Sequence, residues 1–135
     1  MFRPVADSLP TKPCPVLDVG AGTGRTAAWF ARQGMSVTAV EPVAAFRSAG
    51  QARYGDMPIR WVDDTLPHRT KLTSATDTFQ TVILAGVWHH LAPQERSIAM
   101  PRLRSLTAKG GQIIMSLRHG SAPEGRSVFP VPAAD

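Results

Sequence analysis

The residues best placed to do chemistry start with a glycine-rich turn. An apolar run over residues 16–19 ends at Gly20, and further glycines follow at Gly22 and Gly24. Glycines let the backbone turn sharply and approach a ligand without a clash at Cβ. A turn of this kind after the first strand of a doubly wound sheet lies at the carboxyl edge, where ligands bind. The pattern therefore predicts a ligand-binding loop, with a purely structural turn as the alternative.

The spacing of this loop separates two kinds of cofactor. The dinucleotide fingerprint is G-x-G-x-x-G/A, in which the third small residue lets the helix pack closely on the strand. Arg25 stands at that third position, which argues against NAD. The loop has the spacing G-x-G-x-G instead, with Asp18 two residues before its first glycine.

Acidic residues follow the next two apolar runs. Glu41 ends the second run, where a carboxylate can accept hydrogen bonds from both hydroxyls of a ribose. NAD-binding proteins use an acidic residue in the same way, so Glu41 alone does not identify the cofactor, and a helix-start residue is its alternative. Asp63 and Asp64 follow the third run, with a solvated turn as their alternative.

The elements that must position these residues alternate between strand and helix. Apolar and β-branched runs predict strands at 16–19, 36–40, 59–62, 79–84 and 111–117. Helical patterns cover residues 26–33, 42–52 and 93–107, and Pro42 suits the first turn of the second helix. Alternation of this kind predicts a parallel sheet covered by helices on both faces.

The third predicted helix contains a local conflict. Its buried side is expected to carry Ile98, Leu103 and Leu106. Pro101 lies inside it, where proline costs about 3 kcal/mol or forces a kink. We therefore expect a bend near Met100, or two short helices.

Five segments, in this order and spacing, resemble class I S-adenosylmethionine-dependent methyltransferases. They are the Asp18–Gly24 loop, Glu41, the Trp61–Pro67 segment ending in Leu-Pro, the Phe79–Leu91 segment and the Leu106–Gly111 turn. Gln80 and Ala108 depart from the usual Asp and Pro of the family. The resemblance covers about residues 15–117 and implies a three-layer, Rossmann-like α/β fold. It also implies S-adenosylmethionine as cofactor and S-adenosylhomocysteine as product.

The same resemblance implies roles for individual residues. In the family, the loop wraps the methionine portion of the cofactor, and the acidic residue at the position of Asp18 helps hold its amino group. The residue at Glu41 meets the ribose, and either Asp63 or Asp64 meets the adenine amine. The implied cofactor-binding residues are Asp18, Gly20, Ala21, Gly22, Gly24, Glu41, Pro42, Asp63, Asp64, Thr65 and Gly86.

The candidate catalytic residues are His89 and His90, because histidine titrates near neutral pH and suits a general base. Packing beneath the cofactor pocket is the alternative. No metal site is expected, since adjacent histidines point apart and no third ligand follows at a recognisable spacing. The His-His-Leu pattern is typical of small-molecule methyltransferases, which favours a small-molecule acceptor.

Composition places limits on partners and location. The 135 residues suit one domain. The sequence contains no run of about 18 apolar residues, so no membrane span is expected. A single cysteine and the lack of a signal-like apolar stretch before Lys12 favour the cytoplasm. The net charge of +5 comes from scattered arginines, so nucleic-acid binding is not favoured.

The single predicted domain has a core at about 15–117 and irregular ends at 1–14 and 118–135, the latter too short for the last strands of the family sheet. We therefore expect a fragment of a longer protein. The exposed sheet edge along the fifth strand would favour a homodimer. The alternative function is a non-catalytic module that binds S-adenosylmethionine or serves as a scaffold.

Overall fold

The computed structural model describes residues 14–65, 78–85, 91–117 and 125–130, in which six strands and three helices form. The strands are β1 (Pro15–Val19), β2 (Ser36–Val40), β3 (Ile59–Val62), β4 (Phe79–Ala85), β5 (Thr107–Leu117) and β6 (Gly125–Pro130). The helices are α1 (Arg25–Arg32), α2 (Ala44–Tyr54) and α3 (Pro93–Leu106). None of these helices is long and apolar enough to cross a membrane.

All six strands belong to one sheet with the order β3-β2-β1-β4-β5-β6. The first five strands run parallel, and β6 pairs antiparallel to β5. Because β1 has β2 on one side and β4 on the other, successive strands are added in opposite directions from this point. Such a switch point opens a crevice at the carboxyl ends of the strands, where ligands bind.

The helices cover both faces of the sheet. On one face, Leu17 of β1 belongs to a buried cluster with Leu103 and Leu106 of α3. On the other face, Val16 of β1 packs in a cluster with Phe30 of α1. Burial on both faces explains the continuous apolar runs of the strands. The prediction of a three-layer α/β fold with a parallel sheet is confirmed.

The start of α2 differs from the prediction. The helix begins at Ala44 with Val43 at its N-cap, so Pro42 precedes it and does not occupy its first turn. The Val43 backbone N–H donates to Glu41 Oε2 at 3.0 Å, and the chain completes this turn before the helix starts. The prediction failed because this side-chain contact cannot be seen in a pattern of helix formers.

The third helix differs from the prediction in its buried side, and it excludes one of the two alternatives expected at Pro101. Ile98 is 48% exposed, and Ala99 takes its place beside Leu103 and Leu106 in the core. The helix runs through Pro101 without interruption, so it does not split into two. Pro101 and Ser97, four residues before it, are both exposed, and a carbonyl deprived of its helical partner can there bond to water.

The carboxyl-terminal region contains a strand that was not predicted. Residues 118–135 were expected to be irregular, yet Gly125–Pro130 forms β6 and pairs with β5 from Gln112 to Leu117. The predicted open edge along the fifth strand is therefore wrong, because β6 occupies it. Proline-rich composition concealed the strand, although the sole proline within Gly125–Pro130 is its last residue.

We expect Gly50→Ala to destabilise the protein although alanine is the better helix former. A Cβ at Gly50 would lie 2.4 Å from the Trp61 ring and 2.8 Å from the backbone oxygen of Thr23. Overpacking of this kind typically costs about 1–3 kcal/mol, against a gain of about 1 kcal/mol in helix propensity. Urea unfolding measures the difference. Ser48→Ala, at an exposed position of the same helix, is the control, and a stabilised Gly50→Ala variant would contradict this packing.

Candidate functional site

The glycine loop connects β1 to α1 and is fastened to the end of β2. The backbone N–H groups of Gly20 and Ala21 both donate to the Val40 carbonyl, at 2.8 and 3.0 Å. Gly20, Gly22 and Gly24 all have positive φ, at 72°, 61° and 96°. This sharply turned backbone lies at the carboxyl edge of the sheet, beside the switch point between β1 and β4.

Two glycines of the loop are required for different reasons. A Cβ at Gly22 would meet nothing within 4 Å, so the backbone there borders open space. A Cβ at Gly24 would lie 2.8 Å from the Trp61 ring, so this glycine lets the start of α1 pack on β3. The loop spacing alone gave both residues the same cofactor-binding role, and the structure adds a packing role for Gly24.

Glu41 lies directly after β2 and is held by backbone amides. The residue is 5% exposed. Gly22 N–H donates to Oε1 at 2.7 Å, and Val43 N–H donates to Oε2 at 3.0 Å. The carboxylate thus joins the glycine loop to the start of α2. A carboxylate has about four acceptor positions, so these two bonds leave capacity for hydroxyl donors.

Asp18 lies in β1 beneath the loop, on the face that α1 covers. The residue is fully buried, and neither carboxylate oxygen has a hydrogen-bond partner. Burial, together with the charge of Glu41, raises the pKa of the Asp18 carboxyl to about 7. The backbone amide of Ala27, which lies outside hydrogen-bond geometry, acts in the opposite direction. A buried carboxylate without a partner is costly, and a cation or donor beside it would relieve that cost.

The two aspartates after β3 have different surroundings. The Asp63 side chain is 56% exposed, and its Oδ1 lies 3.2 Å from Arg47 Nη1. Asp64 is 7% exposed, and its Oδ1 accepts the backbone N–H of Thr65 at 2.9 Å. Asp63 is therefore directed towards solvent and Asp64 towards the protein. Thr65 itself is exposed.

Arg47 is a site residue that sequence reasoning missed. From the first turn of α2, its Nη1 donates to the backbone oxygen of Glu41 at 2.7 Å and pairs with Asp63. One arginine among many scattered ones gives no signal in a single sequence. Its position six residues after Glu41 becomes meaningful only once α2 is seen to fold back over the strand ends.

The remaining predicted residues divide into two groups. Pro42 is exposed beside Glu41. Gly86, His89 and His90 lie outside the described residues, so their assigned roles stay predictions. Within the described ranges, no three His, Cys, Asp or Glu side chains are grouped to hold a metal ion.

Solved structures share this fold. A SAM-dependent methyltransferase of Methanosarcina mazei has a TM-score of 0.77 and 14% identity, covering 90% of this chain and 59% of its own. The 1,6-didemethyltoxoflavin N1-methyltransferase of Burkholderia thailandensis was solved with 1,6-didemethyltoxoflavin and S-adenosylhomocysteine. Its TM-score is 0.68 at 25% identity, covering 91% of this chain and 56% of that one. The strand order and the loop at its switch point define a class I, Rossmann-like methyltransferase fold.

The chain belongs to the methyltransferase-domain family, whose model matches residues 16–111. An uncharacterized methyltransferase of Mycobacterium tuberculosis is 34% identical over 113 residues, covering 78% of this chain and 54% of its own length. The chain therefore spans about half the length of the curated relatives it matches. The family resemblance inferred from the glycine loop and its companion motifs is confirmed.

Proposed function

We propose that this chain is the cofactor-binding core of an S-adenosylmethionine-dependent methyltransferase that acts on a small molecule. The observation that carries the proposal is the buried, unpartnered carboxylate of Asp18 beneath a glycine loop. The cofactor carries an ammonium group, which is the kind of partner that this carboxylate lacks. A pyrophosphate would bring negative charge beside Asp18, so this residue disfavours a dinucleotide.

The other residues of the site fit the rest of the cofactor. Glu41 would accept the ribose hydroxyls, since its carboxylate is held in place beside the open space at Gly22. Asp63 is the better candidate for the adenine amine, because it is exposed at the strand end whereas Asp64 is directed inward. The loop would contact the methionine portion through its backbone.

Methyl transfer from S-adenosylmethionine depends more on the position of the acceptor than on a reactive side chain of the protein. A bound S-adenosylmethionine supplies a sulfonium whose methyl group is already activated for transfer. Holding an acceptor in line with that methyl group accounts for much of the acceleration in such reactions. His89 or His90 would serve as general base where the acceptor carries a proton, a role that rests on the sequence alone.

Two observations favour a small molecule as the acceptor. The His-His-Leu pattern is typical of small-molecule methyltransferases, and the solved Burkholderia relative holds a small heterocycle. Since the chain spans about half of its curated relatives, residues elsewhere in the whole protein would contribute to acceptor choice. A cofactor-binding module without transfer activity is the second candidate, because Asp18, Glu41 and Asp63 are all assigned to the cofactor.

Calorimetric titration with S-adenosylmethionine and with NAD tests the proposal. We expect binding of S-adenosylmethionine alone. Gly22→Ala should weaken it about tenfold, because the new methyl group projects into the ligand space. Gly34→Ala is a matched control, since Gly34 also has positive φ, at 90°, and open space at Cβ but lies outside the loop. Each variant should be destabilised by about 1–2 kcal/mol, because both place alanine at positive φ.

The outcomes separate the alternatives. Binding of NAD without S-adenosylmethionine would overturn the proposal. Equal losses of affinity in Gly22→Ala and Gly34→Ala would show that the loop is a structural turn. Binding of S-adenosylmethionine without transfer to any acceptor by the full-length protein would support the non-catalytic module.

A further inference from the structure

Arg47 connects the two strand ends that carry the proposed nucleoside contacts. Glu41 directly follows β2 and Asp63 directly follows β3, and the two strands pair in register up to Val40 and Val62. The Glu41 backbone N–H continues the ladder by donating to the Val62 carbonyl at 3.0 Å. Beyond this point, Arg47 Nη1 contacts both the Glu41 carbonyl and the Asp63 carboxylate.

We propose that Arg47 is a positioning residue that sets the spacing between the ribose acceptor Glu41 and the adenine acceptor Asp63, an inference that rests on the proposed function. In this role Arg47 acts through Glu41 and Asp63, the two residues that its guanidinium contacts. The Arg47 side chain is 19% exposed, and the lower dielectric around a partly buried charge strengthens its interactions relative to an arginine in open water. Its contact with Asp63 Oδ1 at 3.2 Å restricts the direction of this side chain at the exposed strand end.

Arg47 is itself held in place by the helix that carries it. Its backbone N–H donates to the Val43 carbonyl at 3.1 Å, in the first turn of α2. Val43 in turn donates its own N–H to Glu41 Oε2. The same short segment therefore fixes the Glu41 carboxylate from one end and the Asp63 carboxylate from the other.

Both contacts come from a single nitrogen, Arg47 Nη1, so one charged donor in this position is enough to make them. Lysine also presents one charged nitrogen on a long side chain, so Arg47→Lys should preserve much of the function. Methionine has a similar apolar stem but no donor, so Arg47→Met should lose it. Arg53→Met, at an exposed position of the same helix, is the matched control.

The test uses S-adenosylhomocysteine and two analogues, one with oxygen in place of the adenine amine and one lacking the ribose 2′-hydroxyl. Each lost hydrogen bond to a carboxylate should weaken binding to the wild-type protein about tenfold or more. Arg47→Met should reduce the preference for the adenine amine and the preference for the 2′-hydroxyl, each at least about threefold. Asp63→Asn should reduce only the preference for the amine. Arg47→Lys and Arg53→Met should keep both preferences. A purely structural role would weaken all three ligands equally and leave the preferences unchanged.

The affinities for the three ligands separate two kinds of negative result. Wild-type protein that binds none of the three ligands would overturn the proposed function and this inference with it. Binding with preferences that are unchanged in Arg47→Met would overturn this inference alone. A loss of the amine preference in Asp64→Asn but not in Asp63→Asn would overturn it as well, because the adenine acceptor would then lie outside the reach shown for Arg47.

Discussion

Replacing Asp18 with asparagine is expected to stabilise the ligand-free protein strongly at pH 8 and considerably less at pH 5. The folded protein holds this carboxyl with a pKa of about 7, whereas the unfolded chain has the ordinary value near 3.8. A group with a raised folded-state pKa contributes stability that is fully present below the unfolded pKa and is lost as the pH rises through the folded one. The wild-type protein should therefore lose stability between about pH 4 and pH 7.

The size of this effect makes it measurable by thermal unfolding. Between pH 5 and pH 8 the loss is on the order of 3 kcal/mol, which corresponds to a midpoint shift of about 10 °C in a domain of this size. The advantage of Asp18→Asn over wild type should grow by that amount across the same interval. Asp63→Asn, at an exposed carboxylate, is the control. A difference between Asp18→Asn and wild type that stays constant with pH would contradict the assigned environment of Asp18.

Cofactor binding should show the opposite dependence on pH. An ammonium group beside Asp18 favours the ionised carboxylate, so wild-type affinity for S-adenosylmethionine should rise as the pH increases towards 7. Asp18→Asn should bind more weakly and lose most of this pH dependence. Calorimetry at pH 6 and pH 8 provides the comparison. Equal pH dependence in the variant and the wild type would separate Asp18 from the ligand.

Glu41→Gln is expected to weaken cofactor binding about 100-fold. Hydrogen bonds to a charged acceptor contribute about 1.5–3 kcal/mol each, and the proposed site has two of them to the ribose. A second effect adds to the loss. Both oxygens of Glu41 accept backbone amides, so a glutamine must direct its NH₂ group at the N–H of either Gly22 or Val43. The loop or the start of α2 would then be displaced.

Binding of S-adenosylhomocysteine and of its 2′-deoxy analogue separates these two effects. Wild-type protein should prefer the ribose ligand, and Glu41→Gln should lose that preference. Displacement of the loop alone would weaken both ligands by the same factor and keep the preference. Glu95→Gln is the control, since Glu95 also accepts a backbone N–H, from Ala92 at the start of α3, away from the loop. A Glu41→Gln variant with wild-type affinity would remove Glu41 from the site.

The fold was predictable wherever burial on both faces leaves a continuous apolar run. The ranges of β2 and β3 match the prediction at both ends, because glycine, proline and charged residues mark their limits. Ile98 was assigned to the core because hydrophobicity alone was considered, whereas the side of α3 that packs on the sheet carries Ala99 with Leu103 and Leu106. β6 was missed because its stability depends on a neighbouring strand and not on its own composition.

The site was predictable to the extent that its residues follow strands. Asp18, Glu41 and Asp63 stand in or directly after strands, and parallel strands bring their carboxyl ends to one edge. Arg47 lies on a helix, where only the direction in which α2 returns over the sheet decides what it contacts. The difference between Asp63 and Asp64 likewise depends on where the backbone turns after β3, which two adjacent identical residues cannot reveal.

The two amide bonds to Glu41 have a consequence for the entropy of association. A flexible glutamate that becomes fixed by its ligand loses rotamer freedom at the moment of binding, at a cost of about 0.5–1.5 kcal/mol. Gly22 and Val43 already restrict this side chain in the ligand-free protein. That entropy is lost during folding, so a ribose arriving at the site meets an acceptor whose orientation is set and keeps more of its interaction energy as affinity.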